Sequence, residues 1–463
     1  MTREQAIERA QASFDDGTFQ ADLARRVALP TESQNPERAP LLVAYLGAEL
    51  QPAFEAMGFA CRIVHEGDFP FLIAERIEGA GLATMLGYGH GDVVRGMEER
   101  WADGLSPWVL QDRDGTWYGR GTADNKGQHT IALAALRAVI ETRGRLGFNA
   151  KFLIEMGEEV LSPGLRELAS AHRADLAADV FIASDGPRLA AGRPTIFLGS
   201  RGSISLDLSI DSRAGGHHPG NWGGLLSDPA IRIAHAIAAI VGPDGAIRVP
   251  EWVPPHIPDT VRAALAGCAI EPEPGSPVID PAWGEPGLTP SERVFGWSSV
   301  TVLAIAAGDA ATPGNVILPR AGARLQLRFV VGVDEDDILP ALRRHLDRHG
   351  FADVAVARTR GEFFRASRLD PGHPFVGWAA ASIAATTGRD PAILPNLGGS
   401  LPNDVFAEIL GLPTIWVPHS YPGCSQHAPD EHVPASLLRE GLAIMAGLYW
   451  DLGEAPPQHN KRA

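Results

Sequence analysis

Short apolar runs bounded by Gly, Pro, Asp or Asn alternate along this chain with helical patterns, and this alternation restricts the fold more than any other feature. FLIAERI (71 to 77), ATMLGYGH (83 to 90), AKFLIEMG (150 to 157), ADVFIASD (178 to 185) and LPTIWVPHS (412 to 420) have the length and composition of buried strands. Between them, GQHTIALAALRAVIETRG (127 to 144) and LREGLAIMAGLYWDLG (438 to 453) carry apolar residues at helical spacing and end on glycine. Such alternation predicts an α/β fold with a largely parallel sheet covered by helices. The middle of the chain reads differently. SISLDLSID (203 to 211), SSVTVLAI (298 to 305) and ARLQLRFVV (323 to 331) alternate polar with apolar residues, as strands of a half-exposed antiparallel sheet do. Helical patterns near 226 to 241 and 335 to 350 accompany them. The expected division is a discontinuous α/β domain over residues 1–200 and 367–463, interrupted by an α+β domain over 201–366. The Pro-rich stretches 250–261 and 271–292 read as long loops on that insert, and the tail 453–463 as frayed.

At 463 residues the chain is too long for one ordinary core, which agrees with two domains. Its formal charge of −16 repels nucleic acid and anionic lipid, so small molecules or metal cations are the expected partners. No apolar run is long enough to cross a bilayer. The start, MTREQAIERAQASFDD, lacks the basic and apolar regions of a signal peptide. Three scattered cysteines (Cys61, Cys268, Cys424) form neither a disulfide framework nor a CxxC pair, so a reducing, cytoplasmic setting is expected.

The chemistry-bearing residues cluster where the strands end. His90 and Asp92 close one run, Glu158 and Glu159 follow another, Asp185 closes a third, and His427 follows the run ending near Ser420. Asp124 sits in the Gly-rich turn YGRGTADNKG (118 to 127) just before a helix. Ligands of open α/β sheets bind beyond the carboxyl ends of strands, so residues far apart in sequence can converge there. Two imidazoles with several carboxylates suit Zn²⁺, Mn²⁺ or Co²⁺. There is no GxSxG elbow, no Walker loop and no convincing GxGxxG. Singly, each piece has a plain structural reading: Asp124 as a helix cap, Glu158-Glu159 as a solvated turn, Asp185-Gly186-Pro187 as a tight turn. Their joint occurrence at strand ends is what points to a site.

The segments HGD (90 to 92), YGRGTADNKG (118 to 127), EMGEEVLSPG (155 to 164), SDG (184 to 186), HPGNWGG (218 to 224), GNVILPRAGARLQLR (314 to 328), GGSLPND (398 to 404) and SQHAPDE (425 to 431) together resemble the M20 metallopeptidases and amidohydrolases, in particular their dinuclear dipeptidase branch. The resemblance spans nearly the whole chain in the family's order. It implies two divalent ions, Zn²⁺ or else Mn²⁺ or Co²⁺, with His90 and Asp185 on one, Glu159 and His427 on the other, and Asp124 shared. It also implies Glu158 as general base and Asp92 as the group that orients the His90 ring.

By the same resemblance the insert is a lid and dimerisation domain, able to close about hinges near residues 200 and 366. His218 would reach the partner's site in a homodimer and stabilise the oxyanion, and Asn315, Arg328, Gly399 and Ser400 would hold a substrate carboxylate. From the residues alone, the structural alternative for Arg328 is a strand-end ion pair. Val93-Val94-Arg95, His218-Pro219-Gly220 and Val160 to Gly164 depart from the family's usual wording, and the last reshapes the substrate side of the pocket. Cys424, close to His427, reads as an inert thiol, buried or partly exposed, with an accidental extra thiol near the site as the alternative. The implied activity is hydrolysis of an amide or peptide C–N bond in a small carboxylate-bearing substrate, by a dipeptidase or carboxypeptidase. The alternatives are an N-acyl amino acid deacylase or other catabolic amidase, and, from another class, a non-catalytic binding protein.

Overall fold

The computed structural model describes residues 1–272, 276–359 and 363–457. The expectations for 273–275 of the second Pro-rich stretch and for the last six residues of the tail lie outside them. Each apolar run forms a strand of one eight-stranded mixed sheet. Its spatial order is Ala60–Glu66, Phe69–Arg76, Asn149–Glu155, Thr84–His90, Val180–Ala183, Thr414–Trp416, Thr195–Phe197 and Ala392–Leu394. The four central strands, from Asn149–Glu155 to Thr414–Trp416, are adjacent and mutually parallel. Antiparallel pairing appears toward the edges, at the hairpin of Ala60–Glu66 with Phe69–Arg76 and where Thr195–Phe197 meets Trp416.

Successive residues of these strands enter opposite cores, which is why the runs read as continuously apolar. Leu72, Ala74, Val180 and Ile182 pack on the face covered by the helices Arg3–Asp15, Lys126–Arg143, Pro374–Thr387 and Ala435–Glu454. Phe71, Ile73, Phe181 and Ala183 pack on the other, with Leu165, Leu168, Phe406 and Trp416. The helix Lys126–Arg143 ends as its sequence indicates, on Gly144 at φ 77°.

A four-stranded antiparallel sheet, ordered Ser299–Ala306, Arg320–Phe329, Gly202–Asp211 and Ala355–Arg358, lies wholly within the interval read as an insert. Ile204, Leu206, Leu208 and Ile210 face a core shared with the helices Pro229–Ile240 and Ile338–Arg348 and with Trp252, while the residues between them are half-buried or exposed. The chain enters and leaves this unit through two short strands, Gly199–Ser200 and Ser367–Arg368, which pair antiparallel with each other.

One sequence expectation changes. The region around the Pro-rich stretches 250–261 and 271–292, which read as long loops on the insert, packs in its described parts on the second face of the large sheet. Its helices Asp259–Ala266 and Pro290–Phe295 bury Val261, Leu265 and Phe295 beside Phe197 and Trp416, and the Cys268 thiol reaches the carbonyl of Ile393 in the edge strand. Apolar residues spaced among prolines were enough to fill a core that the local pattern did not reveal.

The paired crossing is tightly packed: a methyl group on Gly199 would overlap the carbonyl oxygen of Ser367. Gly199→Ala should therefore destabilise the protein by about 1–3 kcal/mol. Gly377→Ala, at an exposed helical position with open space around it, should stabilise by about 0.5–1 kcal/mol. Urea unfolding of the two variants checks whether the same added methyl takes opposite signs.

Candidate metal centre

The site forms beyond the carboxyl ends of the four adjacent parallel strands. His90 is the last residue of Thr84–His90 and is fully buried. Asp185 lies two residues past Val180–Ala183, and Glu158 and Glu159 form a single 3-10 turn just past Asn149–Glu155. His427 lies in the loop beyond Thr414–Trp416, on the rim, with its side chain 58% exposed. Asp124 comes from the turn preceding Lys126–Arg143.

Asp124 stands between the two imidazoles. Its Oδ1 lies 3.0 Å from His90 Nε2 and its Oδ2 3.1 Å from His427 Nε2. Asp185 Oδ2 lies 3.5 Å from His90 Nε2, and Glu159 Oε2 3.1 Å from His427 Nε2. Two groups of three thus converge with ligand atoms within 4.8 Å of one another: His90, Asp124 and Asp185, and Asp124, Glu159 and His427.

These residues fit a pair of divalent cations on two grounds. Asp185 Oδ2 is buried without a hydrogen-bond partner, an arrangement that a cation relieves. The carboxylates are also too crowded to ionise together unaided. Burial, then repulsion from Asp124, pushes Glu159 up to about 7, and burial pushes Asp185 up to about 6. Glu158 is raised well above the usual carboxylate range by burial, with Asp185, Glu159 and Asp124 adding to it. Conversely, hydrogen bonds to Asp124 and Glu159 lift His427 to about 11. Burial opposes protonation of His90, yet its bonds to Asp124 and Asp92 outweigh that and raise it well above normal. Protons in this cluster occupy places suited to cations.

The supporting residues differ in detail from the sequence reading. His90 Nδ1 lies 3.1 Å from the backbone carbonyl of Asp92 and 3.4 Å from its carboxylate. Both are acceptors, so a proton is held on Nδ1, and Nε2 is the nitrogen left toward Asp124 and Asp185, where its lone pair would serve a cation. The Asp92 carboxylate has a second task. Its two oxygens accept the backbone N–H groups of Glu158 (3.2 Å) and Glu159 (3.1 Å), fixing the turn that carries both acids.

Glu431 was missed as a site residue, although it closes the SQHAPDE segment. It is buried, and its Oε1 accepts the backbone N–H groups of Gly121, Ala123 and Asp124, while Oε2 pairs with the buried Arg120 at 2.8 Å. One carboxylate thereby holds the loop that presents Asp124. Only its spacing, four residues after His427, hinted at this.

Beside the acids opens a cavity of about 320 Å³ lined by Asp124, Glu158, Glu159, Asp185 and His427, and also by Arg328, Gly399 and Ser400. Arg328 Nη1 donates to Ser400 Oγ at 3.0 Å, and no carboxylate pairs with Arg328 among the described residues. His218 and Asn315 do not line this cavity. They sit together on the smaller unit, exposed, with Asn315 Nδ2 3.4 Å from His218 Nε2. Cys424 is fully buried, as expected.

The protein belongs to Peptidase family M20/M25/M40, whose family model matches residues 86–451. It is a metallohydrolase that cleaves amide or peptide C–N bonds. Among characterised relatives, the cysteinylglycine-S-conjugate dipeptidase of Corynebacterium striatum is 29% identical over 344 residues, covering 70% of this chain and 71% of that enzyme. The human Beta-Ala-His dipeptidase is 25% identical over 404 residues, covering 83% and 78%. The succinyl-diaminopimelate desuccinylase of Maricaulis maris is 26% identical over 412 residues, covering 85% and 87%. In fold, the crystal structure of human carnosine dipeptidase 1 superimposes with a TM-score of 0.77 at 21% identity, covering 98% of this chain and 99% of that one. The metallo-carboxypeptidase Sso-CP2 from Sulfolobus solfataricus gives 0.79 at 21% identity, covering 94% and 99%.

Removing the Glu431 carboxylate leaves three backbone donors and a buried guanidinium without their partner. Glu431→Ala should lower stability by about 3–5 kcal/mol. Glu431→Gln keeps an acceptor oxygen and should lose less, an order that denaturant titration of both variants establishes.

Proposed function

We propose that this enzyme is a dipeptidase acting on substrates with an apolar first residue and a free carboxylate, using two divalent ions, zinc in the first instance, in a cytoplasmic homodimer. The observation carrying this reading is Asp124, whose two carboxylate oxygens address two different imidazoles at the wall of a cavity that also holds Arg328, an arginine with no carboxylate partner among the described residues. His90 and Asp185 would hold one ion, Glu159 and His427 the other, with Asp124 common to both. Bound there, the ions would polarise the scissile carbonyl and make a water acidic enough to lose its proton near neutral pH.

The chain's own groups do the rest. Glu158, the one acid of the cluster left over from the ligand set, accepts the proton of the attacking water and returns it to the leaving nitrogen. Asp92 positions Glu158 by gripping the backbone of the turn. Arg328, Ser400 and the Gly399 backbone receive the substrate carboxylate, which sets the scissile bond in register. His218 supplies the oxyanion donor to the partner subunit's site, which accounts for its exposed place outside its own cavity. Its Nδ1 accepts the Gly220 N–H at 3.1 Å, so the ring proton sits on Nε2, ready to donate. Cys61, Cys268 and Cys424 form no disulfide with one another, which agrees with a reducing compartment.

Substrate preference is read from the apolar part of the cavity wall: Leu161, Phe364, Leu397 and Leu401. Leu161 is held at φ 74°, a conformation that favours glycine, and remains 38% exposed at the cavity. A leucine kept there at a conformational disadvantage supports contact with an apolar substrate group. The same wall favours the second reading, an N-acyl amino acid hydrolase, because the only carboxylates lining the cavity, among the described residues, are those of the cluster itself. A panel of dipeptides and N-acyl amino acids assayed with the Zn²⁺- or Mn²⁺-loaded enzyme separates the two: hydrolysis confined to acylated substrates would replace the dipeptidase reading.

Two predictions follow from these roles. Asp124→Ala should lose bound metal measured by elemental analysis, whereas Glu158→Gln should retain it while kcat falls by about 10²–10⁴. Leu161→Gly should raise stability by about 1 kcal/mol. In kinetics it should lower kcat/KM for leucyl or phenylalanyl dipeptides by about tenfold relative to glycyl dipeptides; an unchanged ratio would remove Leu161 from the specificity wall.

A further inference from the structure

A second cavity of about 430 Å³ lies between the small sheet and the stretch that returns to the large sheet, and it shares no lining residue with the catalytic cavity. Its walls are mainly apolar, formed by Ile247, Ile270, Ile279, Trp283, Val294 and Val300. At one side stands Arg201, only 6% exposed. Its Nη1 donates to Ser299 Oγ at 3.1 Å and to the Trp297 carbonyl at 3.4 Å, but no carboxylate pairs with it among the described residues, where the like-charged Arg328 is the charged group acting on it. Burial, with that repulsion added, brings it down to about 9. Two other side chains of the wall carry buried polar atoms with no partner among the described residues: the indole N–H of Trp297 and the hydroxyl of Ser298, which is 5% exposed.

Three donors around an apolar chamber describe a particular guest. A buried cation without a counter-ion, beside an indole N–H that can only donate, calls for an anionic acceptor. The volume falls in the range of small-molecule sites. The other charges on the wall do not supply that acceptor at Arg201. Arg293 is engaged by the carbonyls of Pro281, Trp283 and Glu285, Asp280 is exposed and caps the Ala282 N–H, and Glu285 forms no ion pair with Arg201.

We propose that this cavity is a second ligand site, for a small monocarboxylic acid with an aromatic or branched apolar body, whose carboxylate meets Arg201, Trp297 and Ser298. The site adjoins the substrate segment. Arg201 Nε and Nη2 hold the carbonyl of Gly398 at 2.9 and 2.6 Å, and a Cβ on Gly398 would press on Val294 of the cavity wall. Gly399 and Ser400, the next two residues, line the catalytic cavity. A carboxylate drawing on Arg201 competes with the Gly398 carbonyl for it, so occupancy shifts the segment that receives the substrate and is felt in KM. This coupling rests on the proposed substrate role of Gly399 and Ser400; the site itself does not.

The test is titration calorimetry of the full-length enzyme with 3-phenylpropanoate. Saturable binding should persist in Arg328→Met, which disables the catalytic carboxylate subsite, and should weaken about tenfold in a Trp297→Phe/Ser298→Ala double variant. That double variant should keep normal turnover without the acid. Absence of saturable binding, loss of binding in Arg328→Met, or unchanged binding in the double variant would each overturn the site. With binding established, 3-phenylpropanoate should change the KM of the wild-type enzyme for its best peptide substrate and leave that of the double variant unaltered. A KM indifferent to the acid would remove the coupling, and absence of peptide hydrolysis altogether would remove the dipeptidase reading while the calorimetry still decides the site.

Discussion

Asp124 offers one carboxylate oxygen to a histidine at the bottom of the site and the other to a histidine on its rim, and both contacts depend on a backbone it does not itself control. Glu431 gathers the N–H groups of Gly121, Ala123 and Asp124 onto a single oxygen. The loop is therefore set from outside, by a residue only four positions from His427. Asp92 does the same for the turn bearing Glu158 and Glu159. Two buried carboxylates that need touch no ion thus place the acids that surround the site. The scheme works because four adjacent parallel strands end at one level, so short loops are enough to bring their acids and imidazoles together.

That arrangement explains the unequal legibility of the site in the sequence. Residues at or just beyond strand ends, His90, Glu158, Glu159 and Asp185, could be read because their position follows from where an apolar run stops. Asp124 could be read from the Gly-rich turn before a strong helical pattern. Glu431 could not, since nothing local distinguishes an acid that will be buried under three N–H donors from one in a solvated loop. Asp92 was seen as a partner of the histidine, and its larger role toward the acid pair depends on a contact across 66 residues. The Pro-rich stretches 250–261 and 271–292 mislead for a similar reason: proline-rich sequence suppresses periodicity, while burial of Val261, and of Leu265 and Phe295 just beyond the stretches, is decided by the shape of a distant sheet.

The site is also asymmetric in its access to water. His90 is sealed beneath the sheet ends, whereas His427 stands open on the rim beside the apolar wall of Leu161 and Phe364. Chemistry in such a cleft needs closure or a partner to exclude solvent from the open side. His218 and Asn315 are exposed on the small unit and do not line the cavity.

The way the small sheet is attached bears on how this architecture can be altered. Its two connecting strands lie side by side, so by connectivity alone the interval between them could be exchanged as a cassette with its ends already matched. The interior of that interval forbids it. Because Val261, Leu265 and Phe295 complete the second core of the large sheet, the inserted sequence is stitched into the body it interrupts, and excision would open that core to solvent. Lineages and designers that reshape this unit are therefore confined to grafting its outer strands and helices in place, with the returning helices retained as part of the host.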